Sequence, residues 1–508
     1  MRNTSGESVD RSGFGKKPKP WIYLLFFILL VVLWMILLEL IIRPAFLMTT
    51  GFPVVRRLAL YLLPPFAVTA LAYGLHGLIY SRRERRCAEQ AAQAEAAKEV
   101  RAREERDREE SLLARQRFSL EILAVGLGLE YLRQAQVWDE LQARDRFEPV
   151  LSEDPEDYPD TAEDKERAQR QRESEALEEV LDWLNEEWAI PTFLVGPALE
   201  NPHMLPLLES NLREALDLGG CPGRRFHLVD CLHGEDTDRI LQTVFDFMDR
   251  HAEVPAVLVV AEDGVVLRHG LRSEDAPDLL SDGPRRDDEA PETVVAVLLG
   301  RKDRLASMKA YLGGSVADED VMKPYWEKDQ LARSAGAFTT TELLPSAWSQ
   351  ELIEAFSNLP VLGHLHRPQF VHFQAGMGDG SRADAFKAAW LKAMENLGEG
   401  GKPAQVFYDV GAVTQGRKLV PLSRGVREID PDFDAFDMGI NLHRRLGDAG
   451  AASPLLGLAL AATASYREGQ ASASVFLRRE DGASLLLVRP SDAEASQVPE
   501  TEGAFAEA

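Results

Sequence analysis

The sequence contains little cysteine. Its 508 residues include three cysteines, Cys87, Cys221 and Cys231. A small secreted fold held by disulfides would carry more of them, in even number, so we expect a reducing compartment. Cys87 follows a run of arginines instead of the small residues that precede a lipid-modified cysteine, which argues against a lipoprotein anchor.

Basic residues are scarce relative to acidic ones. Lys and Arg total 57 against 82 Asp and Glu, for a formal net charge of -25. This balance argues against a nucleic-acid partner, which would need clustered basic side chains. It suits a soluble, self-repelling body or a partner with a basic face. The hydrophobic fraction of 45% excludes global disorder.

Familiar catalytic motifs are missing as well. There is no Gly-x-Ser-x-Gly elbow, no Walker loop and no GxGxxG after a strand. The segment from Cys231 to Asp236 joins a thiol, the imidazole of His233 and carboxylates, but a nucleophile also needs alignment and an oxyanion hole. A loop that holds these residues by chance is the commoner case, so we predict no catalytic residues.

Two further segments are candidate ligand sites. His364 and His366 would share one face of a strand, as two metal ligands could, but no third ligand follows at recognisable spacing. A hydrogen-bonding strand end is the favoured interpretation. The glycine-rich segment from Gly376 to Gly380 lacks a lysine and a strand–helix context, which is typical of a flexible loop. We therefore predict no metal site and no cofactor.

Long apolar runs occur only near the start of the chain. From Trp21 to Ile42 the one ionisable residue is Glu39, and this length crosses a bilayer core of ~30 Å. No small-residue cleavage pattern follows, so we expect the segment to be retained. A second run, from Leu58 to Tyr80, contains Pro64-Pro65 and His76. We expect it to be kinked or to start after the prolines, with an interfacial helix as the alternative.

The flanking charges predict the topology of this hairpin. Three lysines precede the first run and four arginines follow the second, which favours both flanks inside. We therefore expect a bacterial inner-membrane protein with a cytoplasmic body.

Residues 82–117 are rich in Arg, Glu, Ala and Gln and lack a sustained apolar seam, so they predict a charged helical stalk rather than a coiled coil.

The remaining chain alternates apolar strands with amphipathic helices, which predicts an α/β fold with a parallel sheet. Each half offers strand, helix, strand, helical connection and two strands around a Glu-Asp-Gly turn, at Glu262 and at Glu480. One helix of the second half is expected over residues 433–446. The matching order suggests two related halves.

The expected domains follow from these changes in composition. They are a basic tail (1–20), a transmembrane hairpin (21–80), the stalk (82–117), an N-terminal α/β domain (118–315), a C-terminal α/β domain (320–490) and a disordered acidic tail (491–508). The cluster from Tyr325 to Asp329 is a candidate inter-domain contact or partner surface, and structural use is the favoured interpretation.

Several phrases of this body resemble a known family. They lie, in order, at the positions that begin with Phe118, Gln136, Asp154, Tyr325, Pro360, Val406, Ala464 and Val488. Together they are similar to the type VI secretion lipase adapter family. The resemblance implies a non-enzymatic cytoplasmic adapter, with an N-terminal and a C-terminal domain, that loads a phospholipase toxin onto the secretion spike. It supplies no partner-binding residues, and these stay unknown.

Two other functions stay open at this point. The element order also looks like thiolase-type folds, which would allow an acyl-transfer enzyme or its degenerate relative. Cys221 lies in a glycine-rich turn and Cys231 precedes a polar loop, so neither is placed as a thiolase nucleophile would be. The remaining alternative is a membrane-tethered scaffold for another complex, with membrane lipid as a partner through the hairpin.

Overall fold

The computed structural model describes residues 17, 19–38, 40, 54–181, 190–198, 205–218, 226–234, 236–272, 280–283, 285–286, 289–315, 349–397, 401–411, 417–436 and 438–491. Cys221, the cluster from Tyr325 to Asp329, nearly all of the basic tail and the acidic tail after residue 491 lie outside these ranges. The chain divides into two compact units, Met1–Leu113 and Ala114–Ala508.

The first unit is helical. Helix α1 spans Pro20–Leu37 and helix α2 spans Val54–Arg117. By length and composition, α1 and the part of α2 from Tyr61 onward could each cross a membrane. The expected start after the prolines is wrong, because α2 begins at Val54 and continues through Pro64 and Pro65. The same helix includes residues 82–117, so this charged segment is helical.

Aromatic side chains join the two helices of this unit. The Tyr23 hydroxyl is hydrogen-bonded to Nδ1 of His76 at 2.7 Å, and the Tyr23 ring packs edge-on against Tyr73. Phe27 and Phe66 make a second edge-to-face contact. His76, the most polar residue of the second apolar run, therefore has a partner within the hairpin. A polar group in the hydrocarbon core of a membrane needs such a partner, because no water is present to bond it.

In the N-terminal half of the body the predicted strands and helices occur in the expected order, together with three helices and a short strand that were not predicted. Its elements are β1 (Ser119–Leu129), β2 (Leu132–Arg133), α3 (Gln134–Ala143), α4 (Ala162–Leu181), β3 (Ile190–Gly196), α5 (Leu205–Leu218), β4 (Phe226–His233), α6 (Ile240–Arg250), β5 (Ala256–Asp263), α7 (Val265–Gly270), β6 (Thr293–Gly300) and α8 (Lys302–Leu312). The strands are short apolar runs bounded by Gly, Pro or acidic residues, as buried strands require.

The C-terminal half repeats this plan. Its elements are α9 (Gln350–Ser357), β7 (Gly363–His366), β8 (Gln369–His372), α10 (Asp379–Met394), β9 (Gln405–Asp409), α11 (Val420–Arg427), β10 (Gly439–Asn441), α12 (Leu442–Leu446), α13 (Ser453–Glu468), β11 (Ser472–Phe476) and β12 (Gly482–Arg489). The helix expected over 433–446 is wrong, because β10 occupies its middle and only its last turn is helical. Pairing of β10 with β9 overrides the local pattern.

All twelve strands among the described residues form one sheet. In the N-terminal half the order is β1-β6-β5-β3-β4, and in the C-terminal half it is β7-β12-β11-β9-β10. The two orders match strand for strand, and β1 pairs antiparallel with β7 where the halves meet. The α/β class is confirmed. The expected parallel sheet holds only for β5-β3-β4 and β11-β9-β10, because the strands between these triples pair antiparallel.

Helix α13 lies at the centre of this arrangement. Its first thirteen residues, Ser453 to Ser465, are buried, and the helix contacts strands of both halves. Its small side chains allow this close packing: a Cβ added at Gly457 would overlap Ser474 on β11. Hydrophobic burial of this kind contributes ~25 cal/mol per Å² of apolar surface, so α13 holds the two halves to one core.

Ion pairs also cross between the halves. Arg367 donates from Nη1 to Asp246 at 2.9 Å and from Nη2 to Asp249 at 2.6 Å, and its guanidinium lies over the Phe245 ring. Buried Arg445 donates to the carbonyl of Leu141.

The two Glu-Asp-Gly segments differ, because the first precedes helix α7 and the second joins β11 to β12. The Glu-Asp-Gly motif alone is therefore no sign of related halves, whereas the matching strand order is such a sign.

Candidate functional site

A cavity of about 460 Å³ lies beyond the carboxyl ends of β3, β4, β5 and β11. Crevices at the carboxyl ends of parallel strands are the usual ligand sites of α/β sheets. The lining residues are Pro197, Ala198, Gly234, Asp263, Arg268, Leu271, Arg272, Gly450, Ala451, Phe476, Arg478 and Arg479. We use the name strand-end cavity for this site. Both halves of the body contribute to it.

Asp263, the last residue of β5, closes one wall of the strand-end cavity. Its carboxylate accepts hydrogen bonds from Arg268 Nε at 2.7 Å and Nη2 at 3.0 Å, and from the backbone N–H groups of Gly264 and Ala451. Gly450 has φ +50°, and a Cβ there would overlap both Asp263 and Arg268. Only glycine therefore allows the loop before α13 to approach Asp263.

Arg478 also lines the cavity. Its Nε donates to Asp409 at 2.7 Å and its Nη1 donates to Asp448. Asp409 ends β9 and also accepts from Ser453 Oγ, at the start of α13. Burial raises the pKa of Asp448, but Arg478 outweighs it and the pKa lies below its ordinary value. Two carboxylates, buried Asp409 and half-exposed Asp448, thus hold the Arg478 guanidinium.

Arg479 connects the halves at this point. Its side chain is only 6% exposed, and it pairs with Asp236 and Asp238 of the N-terminal half at 3.3 Å each and with Asp481 at 3.6 Å. Burial raises the pKa of Asp238 in spite of the nearby guanidinium. Two guanidinium atoms of this pair of arginines, Nη2 of Arg478 and Nε of Arg479, are buried and have no hydrogen-bond partner among the described residues.

The structure places Cys231 and His233 on strand β4 rather than in the expected loop. Cys231 lies half-buried on the edge strand β4, and burial, followed by the charge of Asp230, raises the pKa of its thiol to about 11. His233 is exposed at the end of the same strand. A thiol with this pKa is protonated near neutral pH. The motif contributes to the strand-end cavity through Gly234, which lines it, and Asp236, which pairs with Arg479.

His364 and His366 lie on β7, in the middle of the sheet. Burial, with smaller effects of Arg489 and His364, lowers the pKa of His366 to about 4. Neither ring nitrogen of His366 has a hydrogen-bond partner among the described residues, so the hydrogen-bonding interpretation is wrong for this residue. The described part of the chain contains no group of three or more residues able to hold a metal ion.

The glycine-rich segment from Gly376 to Gly380 has a more definite place than expected. It follows β8 and opens helix α10, so the statement that it lacks a strand–helix context is wrong. Gly376 has φ +80°, which explains a glycine at that turn. The segment lines a cavity of about 580 Å³ together with Arg382, Arg417, Lys418 and Glu480.

A cluster of buried carboxyl groups lies in the N-terminal half. Glu173 on α4 and Glu262 on β5 are hydrogen-bonded to each other, and burial raises the pKa of Glu173 to about 7 and that of Glu262 well above its ordinary value. Burial, followed by the charge of Glu130, raises the pKa of Glu292 to about 8. These groups hold protons at pH values where exposed carboxyls are ionised.

Sequence reasoning missed the arginines of the strand-end cavity. Arg478 and Arg479 directly precede the Glu480-Asp-Gly turn, which was used only as a turn signal. The sequence signal that could have pointed to them is a pair of arginines between an apolar strand and a turn. Asp263 could not be linked to Ala451 from sequence, because the two lie 188 residues apart.

Comparison with known proteins gives two family matches. Residues 118–282 match the N-terminal domain of the type VI lipase adapter protein Tla3, and residues 362–490 match the C-terminal domain of the same protein. Together the two matches cover more than half of the chain. Their order is that of the two halves of the sheet.

Solved structures give weaker similarities. A ketosynthase from module 1 of the bacillaene synthase of Bacillus amyloliquefaciens is 10% identical, with TM-score 0.43, 77% of this chain covered and 76% of that one. The peroxisomal 3-ketoacyl-CoA thiolase of Saccharomyces cerevisiae is 11% identical, with TM-score 0.40 and coverage of 73% and 98%. The human mitochondrial 3-ketoacyl-CoA thiolase is 8% identical, with TM-score 0.39 and coverage of 74% and 100%. Similarity at this level assigns no activity.

Proposed function

The chain belongs to the type VI lipase adapter family, and from this we propose that it is a non-catalytic adapter that binds a lipase-type effector and delivers it to the secretion spike. The observation that carries the proposal is the pair of family matches over both halves of one sheet. A rigid body built this way offers a large surface for a protein partner. The domain limits of 118–315 and 320–490 are part of the proposal.

The proposal includes a membrane anchor. Helix α1 has no buried residue, and most of its leucines and phenylalanines are exposed. A water-exposed helix of this composition would aggregate, whereas lipid would cover it. We place α1 and the first part of α2 across the inner membrane, with both flanks and the body on the cytoplasmic side. Effectors are made there, so an adapter on that side can meet them.

Co-purification tests the adapter function. The full-length chain, tagged and extracted in detergent, would be co-expressed with the lipase and the spike protein encoded in its gene neighbourhood. We expect the lipase to co-purify with the chain and the spike to join when the lipase is present. A matched control omits the lipase. If neither protein co-purifies under any of these combinations, the adapter proposal is abandoned.

Reporter fusions test the anchor. Fusions at Thr50 and at Ser111 report the compartment of the loop between the spans and of the stalk. We expect a periplasmic signal at Thr50 and a cytoplasmic one at Ser111. A cytoplasmic signal at Thr50, or a periplasmic one at Ser111, would contradict the hairpin.

An acyl-transfer enzyme is the second candidate, and the raised pKa of Cys231 counts against it. Thiol alkylation followed by mass spectrometry measures this directly. We expect slow modification of Cys231 in the folded chain near neutral pH, and rapid modification would reopen the catalytic hypothesis.

A further inference from the structure

We propose that the strand-end cavity binds an oxyanion, a carboxylate or a phosphate, carried by a small organic molecule. The proposal goes beyond the adapter function and does not depend on it. It rests on the charge of the lining residues, on two unpaired donor atoms beside the cavity, and on the size and composition of the cavity.

The first observation is the sign of the charge at the cavity wall. Four of the twelve lining residues are arginines, and Asp263 is the one acidic residue among them. All the hydrogen bonds to Asp263 described above direct its oxygens into the wall, and its side chain is 2% exposed. The chain as a whole has a net charge of -25, so the charge of this wall is opposite in sign to that of the chain. Guanidinium groups match carboxylate and phosphate oxygens through paired donors.

The second observation is the pair of unused donors. Arg478 and Arg479 use their other nitrogens on Asp409, Asp448, Asp236, Asp238 and Asp481. Nη2 of Arg478 and Nε of Arg479 remain, buried and without a partner among the described residues, on side chains that line the cavity. A buried donor left unpaired costs ~1–3 kcal/mol, so an acceptor bound in the cavity would stabilise both donors.

A purely structural role for these arginines explains less. As ion pairs, Arg478 within the C-terminal half and Arg479 between the halves would need only their carboxylate partners. Arg367 makes such pairs with Asp246 and Asp249 on helix α6, and its Nε is likewise buried without a hydrogen-bond partner among the described residues. Arg367 does not line the strand-end cavity, whereas Arg478 and Arg479 do. Ion pairing therefore accounts for the carboxylate contacts and leaves the cavity unexplained.

The third observation concerns what the anion is attached to. A volume of about 460 Å³ falls within the range of ~300–1,000 Å³ found for small-molecule sites. Leu271, Phe476, Pro197 and Ala198 supply an apolar part of the wall. A free inorganic ion would leave this part uncovered, so we expect an organic acid or an organic phosphate to bind more tightly than the free ion.

Titration calorimetry on the full-length chain in detergent tests the site. The probes are citrate, glycerol 3-phosphate and inorganic phosphate, with glycerol as the neutral control. We expect saturable binding of at least one organic anion, tighter than that of inorganic phosphate by tenfold or more, and no binding of glycerol. Citrate and glycerol 3-phosphate separate the carboxylate source from the phosphate source. Absence of saturable binding by all three anions would overturn the proposal.

Three variants locate the binding. Ala198→Trp fills the exposed rim of the cavity without removing a charge, and Arg272→Gln removes one lining guanidinium; each is expected to weaken binding at least tenfold. Arg213→Gln, on the exposed face of α5 and paired with Glu209, is the matched control and should bind as the parent does. Unchanged binding by Ala198→Trp would place the anion elsewhere and overturn the proposal. Co-purification with the lipase is a separate readout, so failure of one proposal is distinguishable from failure of the other.

Discussion

Helices α1 and α13 are similar in length but differ in their surroundings. The 18 residues of α1 include no buried side chain, whereas α13 buries thirteen of its 16. Helix α1 is built from bulky leucine, isoleucine and phenylalanine. Helix α13 is built largely from alanine, glycine, serine and leucine, which let it fit closely among strands of both halves.

The difference shows that side-chain size matters beside apolar content in placing a helix. Apart from the contacts of Tyr23 and Phe27 with α2, the large apolar side chains of α1 are mostly exposed, which suits a lipid solvent. Small side chains let neighbouring backbones approach, and they suit a helix enclosed by protein. Apolar content together with side-chain size therefore separates a candidate membrane helix from the centre of a core.

The largest effect is expected from a charge placed in each helix. Leu458 is a buried residue of α13, and Leu458→Arg places an unpaired charge in the core. The substitution should lower the unfolding free energy by more than about 4 kcal/mol, enough to prevent folding of the body. Leu29→Arg, at an exposed position of α1, should leave the unfolding free energy of the body unchanged and reduce membrane insertion. Urea unfolding and membrane fractionation measure the two. Equal destabilisation of the body by both variants would remove the contrast.

A cavity in the core sharpens the same contrast. Phe407 on β9 is fully buried in the core cluster that includes residues of α13. Phe407→Ala should lower the unfolding free energy of the body by ~3–5 kcal/mol. Phe26→Ala, at a 41% exposed position of α1, is the matched control and should lower it by less than about 0.5 kcal/mol.

The body, and not the anchor, should carry a pH dependence. Glu173 faces Glu262, Gln169, Arg172 and Glu214, and its pKa in the folded chain is raised to about 7. A raised folded pKa gives stability that is complete below the ordinary value near 4.5 and is lost as pH rises through 7. Unfolding free energy should therefore fall between about pH 5 and 8, and Glu173→Gln should flatten the curve by up to about 3 kcal/mol. An unchanged slope in this variant would contradict the assignment.

The smallest effect is expected within the hairpin. Tyr23→Phe removes the hydrogen bond to His76 and keeps the ring contact with Tyr73. The cost should be about 1 kcal/mol of helix association, since one neutral hydrogen bond is lost. Crosslinking between cysteines placed on the two helices measures it, and Phe27→Leu, which keeps an apolar side chain, serves as a comparison.

Local patterns in the sequence predicted the elements better than their arrangement. The apolar runs, the charged stalk and the order of strands and helices follow from periodicity and composition. Pairing of β1 with β7 joins segments more than 240 residues apart in sequence, and no local pattern encodes it. The helix expected at 433–446 failed because sheet pairing of β10 outweighed local preference. The strand-end cavity was missed for the same reason: Asp263, Gly450 and Arg479 meet only once the sheet is complete.

The most direct test of a membrane-held adapter is the location of its cargo. Cells would express the lipase effector with or without this chain, and the lipase in the membrane and soluble fractions would be measured. The account predicts that the lipase moves to the membrane fraction only when the full-length chain is present. A lipase that stays soluble beside a membrane-inserted, folded chain would contradict it.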